Sequence, residues 1–129
     1  MENEWQPISE EKLMDLINKG RQQMSPPERK FWDAIAIFPE KWQLTPYGNP
    51  GGGFWVVAVL GKTVVWYNDI ESGFNRSHYE RYGTILPEEY WCNQDELEMT
   101  IRQLIGIVAT GENPRGQCGV PIPGEYPPM

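Results

Sequence analysis

Phe54-Trp55-Val56-Val57-Ala58-Val59-Leu60, then Gly61-Lys62, then Thr63-Val64-Val65-Trp66-Tyr67-Asn68, is the stretch that decides the fold. Both flanking runs are short, apolar and rich in β-branched and aromatic residues, which is strand composition. Gly61-Lys62 suits a two-residue type II′ turn, whose first position needs positive φ and so takes glycine. Such a turn fixes the register. Leu60 then opposes Thr63, Ala58 opposes Val65, and Val56 opposes Tyr67. One face carries Phe54, Val56, Ala58, Leu60, Val65 and Tyr67; the other carries Trp55, Val57, Val59, Val64 and Trp66. Both faces are apolar, whereas a sheet with one wet face alternates apolar with polar. The hairpin is therefore expected at the centre of a sheet, with a cover on each side.

Upstream the apolar period becomes helical. Ser9 is placed to cap the free amides of a first turn that holds Glu10 and Glu11. Ile8 and Leu13 sit at the staple positions around it. Leu13, Leu16, Ile17 and Met24 form one stripe. Gly20 lies on the same side, where it fits either a helix end or a close approach. Ser25-Pro26-Pro27-Glu28 is a capping box with proline in the first turn. It predicts a second helix from Pro26 to about Ile37, with Phe31, Trp32, Ile35 and Phe38 on its apolar face and Pro39 as its stop. Lys41 to Thr45 alternates, with Trp42 and Leu44 on one side, and reads as a short strand. Tyr47 to Gly53 is a loop by composition.

Downstream, Ser72-Gly73 is expected to close a second hairpin that returns Phe74 to Tyr79 as an edge strand. Asp69 would then oppose Arg76, and Tyr67 would oppose His78. Tyr82 to Pro87 is a loop or short strand. Asn93-Gln94-Asp95-Glu96 repeats the capping-box pattern before a helix with Leu97, Ile101, Leu104, Ile105 and Val108 on one face, ended by Gly111. The expected fold is α+β: an antiparallel sheet of three to five strands, with two N-terminal helices and one C-terminal helix packed on it. Residues 1–111 are expected to form the single domain, and 112–129 a Pro/Gly-rich tail without regular structure. The three helices can cover one sheet face. The other needs the long loops, the tail or a second protein.

The chain has 129 residues, 40% of them apolar, with six Trp. That is enough for a core without metal or disulfide support. Eleven basic against eighteen acidic residues give −7. No Lys/Arg stripe offers the counterion release that phosphate binding needs, so neither nucleic acid nor an anionic membrane is expected as a partner. The longest apolar run, Phe54 to Leu60, is too short to cross a bilayer, and Met1 to Pro7 has no secretory pattern. Cys92 and Cys118 match no zinc or redox spacing; the default is two free thiols in a reducing cytoplasm, with a Cys92–Cys118 bond left open because sequence does not give their separation.

Gly51-Gly52-Gly53 precedes a strand and lacks the following Gly-Lys-Ser/Thr, so it reads as a loop and not a phosphate cradle. His78 is the only histidine. Asp69, Glu71, Arg76 and His78 would share one face of the second hairpin, where a carboxylate beside His suits base chemistry or ligation of a divalent ion. An exposed edge with a cross-strand Asp69–Arg76 pair accounts for the same residues. No catalytic residue, metal or cofactor is assigned. Cys92, just before the third helix, fits a buried structural thiol.

Trp42, Tyr47, Trp55, Trp66, Tyr79, Tyr82, Tyr90 and Trp91 are more large aromatics than three helices can cover on one face. Trp and Tyr are the favoured anchors of interfaces. A small, acidic, Trp-rich chain without a catalytic set is similar in composition to bacterial immunity proteins and other inhibitors that neutralise a basic partner. The expectation is an interaction module for another protein, or for a second copy of itself as a homodimer, with Trp55, Trp66, Tyr47, Asp69, Glu71, Arg76 and His78 as binding residues. The alternatives are a small-molecule pocket lined by Trp55, Trp66 and Tyr47, and a hydrolase or metal enzyme using Asp69, Glu71 and His78.

Overall fold

The computed structural model of the chain describes residues 6–47 and 51–111. The Pro/Gly-rich tail lies outside them. The elements are α1 (Glu10–Gln22), α2 (Pro26–Ile35), β1 (Ala36–Trp42), β2 (Phe54–Leu60), β3 (Thr63–Asn68), β4 (Gly73–Arg81), β5 (Thr84–Ile85) and α3 (Leu97–Thr110). The strands form one antiparallel sheet in the order β1-β2-β3-β4-β5. The fold is α+β with two helices before the sheet and one after it. Among the described residues no helix is long and apolar enough to cross a membrane.

Local signals place the helices. Ser9 accepts from the Lys12 amide, and Ser25 with Glu28 forms a complete capping box. Gly20 does not end α1. It lies against Leu97 of α3, so close that a Cβ there would stand 2.8 Å from the Leu97 Cβ. Two boundaries differ from the sequence expectation. Helix α2 ends at Ile35, and Ala36 to Trp42 is already β1, so the strand is not Lys41 to Thr45. Pro39 falls where the β1–β2 pairing slips between Ala36 and Glu40, a place that needs no ladder N–H. Phe38 is therefore a strand residue, 83% exposed, and not part of the helix face. The third capping box is also absent: Glu96 is the N-cap of α3 and makes no side-chain cap bond. The edge of β4 holds Asn93 instead, whose N–H donates to Asn75 Oδ1 at 2.8 Å while its carbonyl accepts from Asn75 Nδ2.

The Gly61-Lys62 turn is as expected, with Gly61 at φ +61°. Leu60 opposes Thr63 and Ala58 opposes Val65. Beyond that a bulge inserts Val57, so Val56 opposes Trp66 and Trp55 opposes Tyr67. The extra residue exchanges the faces at one end of β2. Trp55 and Val57 join Ala58, Val65, Tyr67 and Phe74 under the helices, while Phe54 and Val56 move to the other side with Val64 and Trp66.

A bulge also bends its strand and increases the twist. Here the sheet curls until its two ends meet. The Gln43 amide donates to the Gly83 carbonyl, and the Ile85 amide donates to the Gln43 carbonyl, each at 2.9 Å. The concave side encloses Trp42, Leu44, Phe54, Val56, Val64, Trp66 and Ile85, all at most 1% exposed. Gly53 permits the close approach of β1 to the start of β2, because a Cβ there would meet the Trp42 carbonyl at 2.1 Å. The second apolar face is thus covered by the chain itself.

The β3–β4 connection is a four-residue turn, Asp69 to Ser72, and not the tight Ser72-Gly73 turn expected. Asn68 Oδ1 accepts from the Ile70 and Glu71 amides, an Asx arrangement that sets the longer turn. The register shifts with it: Val65 opposes Arg76 and Thr63 opposes His78. Strand β4 is also not an exposed edge. Residues 86–95 run along it, with the Leu86 amide on the His78 carbonyl and the Phe74 amide on the Asp95 carbonyl. Gly73 allows this approach, since a Cβ there would lie 2.2 Å from Gln94 Cα.

Candidate functional site

The sheet sorts the sequence-predicted site residues into two separate groups. Tyr47, Trp55, Asp69 and Glu71 lie at the end of the sheet that holds the β3–β4 turn. Arg76 and His78 lie toward the other end of β4. Trp66 lies between them, fully buried, with its indole N–H donated to Ser77 Oγ at 3.0 Å. Trp55 and Trp66 face opposite sides of the sheet, so they do not line one pocket with Tyr47. Cavities of about 80 Å³ beneath α3 and about 210 Å³ beside α1 include none of these three residues. Asp69 and Glu71 do not converge with His78. Among the described residues no group of three or more His, Cys, Asp or Glu is arranged to hold a metal ion.

At the turn end, Asp69 Oδ2 accepts from the Ile8 amide at 2.8 Å, and the Trp55 indole donates to the Ile8 carbonyl at 3.4 Å. The segment before α1 is thereby tied to the sheet. Lys41 Nζ lies 5.1 Å from the centre of the Trp55 ring and donates to the Gly51 carbonyl at 2.6 Å. The glycine loop therefore turns carbonyls inward toward a cation of its own chain, the opposite of a phosphate cradle. Burial pushes the Asp69 carboxyl above its usual range, against the Ile8 amide and, more weakly, Lys41. Burial likewise lowers Lys41, against the pull of Asp69.

Beside this lies an aromatic pair. Tyr47 stacks on Tyr90 with ring centres 3.9 Å apart and planes 14° apart. Tyr90 packs in turn on Trp66 and Phe54 of the enclosed core. Burial raises the Tyr90 phenol; its hydrogen bond with Asn68 opposes this, and the nearby charge of Glu71 adds to it. Tyr47 remains 40% exposed and Ile70, in the turn, 41%. Two large, partly exposed side chains thus lie at the turn end of the sheet, Tyr47 backed by Tyr90 and Ile70 in the turn between Asp69 and Glu71.

At the other end, His78 Nδ1 meets the Glu89 carboxylate at 3.0 and 3.1 Å, and Glu89 Oε1 also accepts the His78 amide at 2.8 Å. Arg76 donates from Nε to Gln103 Oε1 at 3.1 Å and has no cross-strand Asp69. These groups border the 80 Å³ cavity, whose apolar wall comes from Leu60, Trp91, Leu104 and Ile107.

Sequence reasoning missed Glu89 and counted Tyr90 only among the surplus aromatics, not among the binding residues, because their roles depend on the path of residues 86–95 along β4. Cys92, on that path, is disulfide-bonded and not a free thiol. The chain's other cysteine, Cys118, lies outside the described residues. Disulfides persist in oxidising compartments, so the cysteines no longer argue for a reducing cytoplasm. Comparison of the chain with protein-family models, curated proteins and solved structures gives no match.

Proposed function

We propose that this protein is a recognition module for another protein, one that presents positive charge at the contact. The observation that carries the reading is the exposure of Tyr47, stacked on Tyr90, and of Ile70 at the turn end of the sheet. Two large apolar side chains stand about 40% exposed beside Asp69 and Glu71, on a chain of net charge −7. A tyrosine held flat on a second ring is already ordered, so binding costs it little conformational entropy. Its outer face can take a Lys or Arg side chain by cation–π attraction. Glu71 and the net charge of −7 then supply steering and charge complementarity. This is the chemistry of an immunity- or inhibitor-type protein that neutralises a basic partner. A second copy of this chain, with the same acidic surface, fits that role poorly, and the enclosed sheet face offers a homodimer no apolar area.

The test is capture of partners from the source cells by the parent chain and by Tyr47→Ala and Glu71→Lys variants, followed by titration with the purified partner. The expected partner is basic. Each variant should weaken it by about tenfold or more, the cost of losing one interface anchor, with the circular-dichroism spectrum unchanged. Binding should also weaken as salt rises. A partner that holds both variants as tightly as the parent contradicts the reading.

A further inference from the structure

We infer that the cavity beside α1 binds a small primary alkylammonium ion, with its hydrocarbon chain inward and its charge at the mouth. The volume of about 210 Å³ is room for about seven non-hydrogen atoms, taking roughly 30 Å³ per water as the scale. Pentylammonium fits within that count, and a drug-sized ligand does not. The cavity lies on the helix side of the sheet with Tyr67 and Phe74, whereas Tyr90 packs on the enclosed core. The site therefore does not rest on the Tyr47 reading.

Burial separates the lining into a floor and a mouth. Tyr67, Phe74 and Leu97 are at most 8% exposed, and the two rings stand edge to face with centres 4.9 Å apart. The floor is thus apolar and ordered. Lys19 and Glu96 are exposed and Asp95 and Glu98 half-buried, so these four form the solvent side. Asp95 Oδ2 already accepts from Asn93 Nδ2 and Gln103 Nε2. Glu96 and Glu98 instead meet each other. Burial raises the Glu98 carboxyl above its ordinary value, and the hydrogen bond with Glu96 and that neighbour's charge add to the rise. Arg102 opposes this only weakly, because its guanidinium donates to Glu28 at 2.8 Å. Lys19 takes part in no side-chain ion pair among the described residues. Whether Glu96 and Glu98 are both ionised or share a proton, the negative charges outnumber Lys19, so the mouth favours a cation. An ammonium between the two carboxyls exchanges their repulsion for charge-assisted hydrogen bonds. Among the described residues no three carboxylates are arranged to hold a metal ion. The floor adds to that preference, since it rewards a cation that brings a hydrocarbon chain to bury.

The test is a nitrogen–proton correlation spectrum of the full chain, titrated with pentylammonium chloride, ammonium chloride or 1-pentanol at matched ionic strength. Pentylammonium should shift the amides of residues 72–74 and 94–98, with saturation in the millimolar range. Ammonium lacks the chain and pentanol the charge, so each should bind at least ~10-fold more weakly. The double variant Glu96→Gln, Glu98→Gln should weaken pentylammonium by a similar factor; both positions lie at the solvent side, and a dispersed spectrum reports that the variant is folded. A lysine side chain carries the same chemistry, and a further arm with Nα-acetyl-lysine methylamide separates the sources. Saturation there extends the site to a polypeptide side chain, and its absence beside bound pentylammonium restricts the site to free amines. Shifts that never saturate, shifts that ammonium chloride reproduces, an equal response to pentanol, or full affinity in the double variant would each overturn the inference.

Discussion

Replacing Trp66 by Phe separates a core role from a contact role. The parent indole is fully enclosed, packs 4.8 Å from the Phe54 ring centre and 5.9 Å from that of Tyr90, and donates to Ser77 Oγ. Phenylalanine keeps part of the ring but leaves a void of roughly 40 Å³, which at about 24 cal/mol per Å³ costs about 1 kcal/mol. Losing the indole hydrogen bond costs about 1 kcal/mol more. Ser77 keeps its own acceptor, the Glu89 carbonyl at 2.7 Å, so no buried donor is left without a partner. The expected sum is about 2 kcal/mol. Urea unfolding followed by far-ultraviolet circular dichroism should show the midpoint lowered by about 1 M with the slope unchanged. An exposed contact residue would change stability by no more than about 0.5 kcal/mol. A loss that small would refute the enclosed sheet face.

Gly20→Ala should destabilise the fold by about 1–3 kcal/mol in a thermal melt, because the added methyl meets Leu97 of α3. Helix propensity alone predicts a gain of about 1 kcal/mol, so the sign decides. Asp69→Asn should stabilise the chain at a pH above the folded pKa of Asp69, where the parent carries an ionised carboxylate that burial disfavours, its folded pKa being raised above the unfolded value. Urea midpoints across pH should show the advantage complete above the raised folded pKa, shrinking as pH falls through it, and gone below the unfolded value of about 3.9; a pH-independent difference contradicts the burial.

Signals confined to a few residues were legible. Ser9 and Ser25 cap their helices, Gly61-Lys62 makes its turn, and Gly111 ends α3 at φ +80°. Choices between equally apolar arrangements were not. Since both faces of β2 are greasy, the bulge at Val57 leaves the hydrophobic pattern satisfied, and nothing in the pattern specifies it. Asn68 and Ser72-Gly73 both carry turn chemistry, and the Asn68 side chain prevails by taking two amides. Tyr47, Trp55, Asp69 and Glu71 were nameable from residue type and lie at one end of the sheet. Their separation from His78 follows from the longer turn. Glu89 and Tyr90 lack any local signature, because what they touch is fixed by residues 86–95 lying on β4.

The most direct check on the central claim, that one chain encloses its own second sheet face, pairs sedimentation with hydrogen exchange at the Trp66 indole. A species of one chain's mass, 14.9 kDa, whose Trp66 indole proton stays protected at the lowest measurable concentration, is the predicted result. A species that sediments as a dimer, and loses that protection when dilution separates its halves, would contradict it.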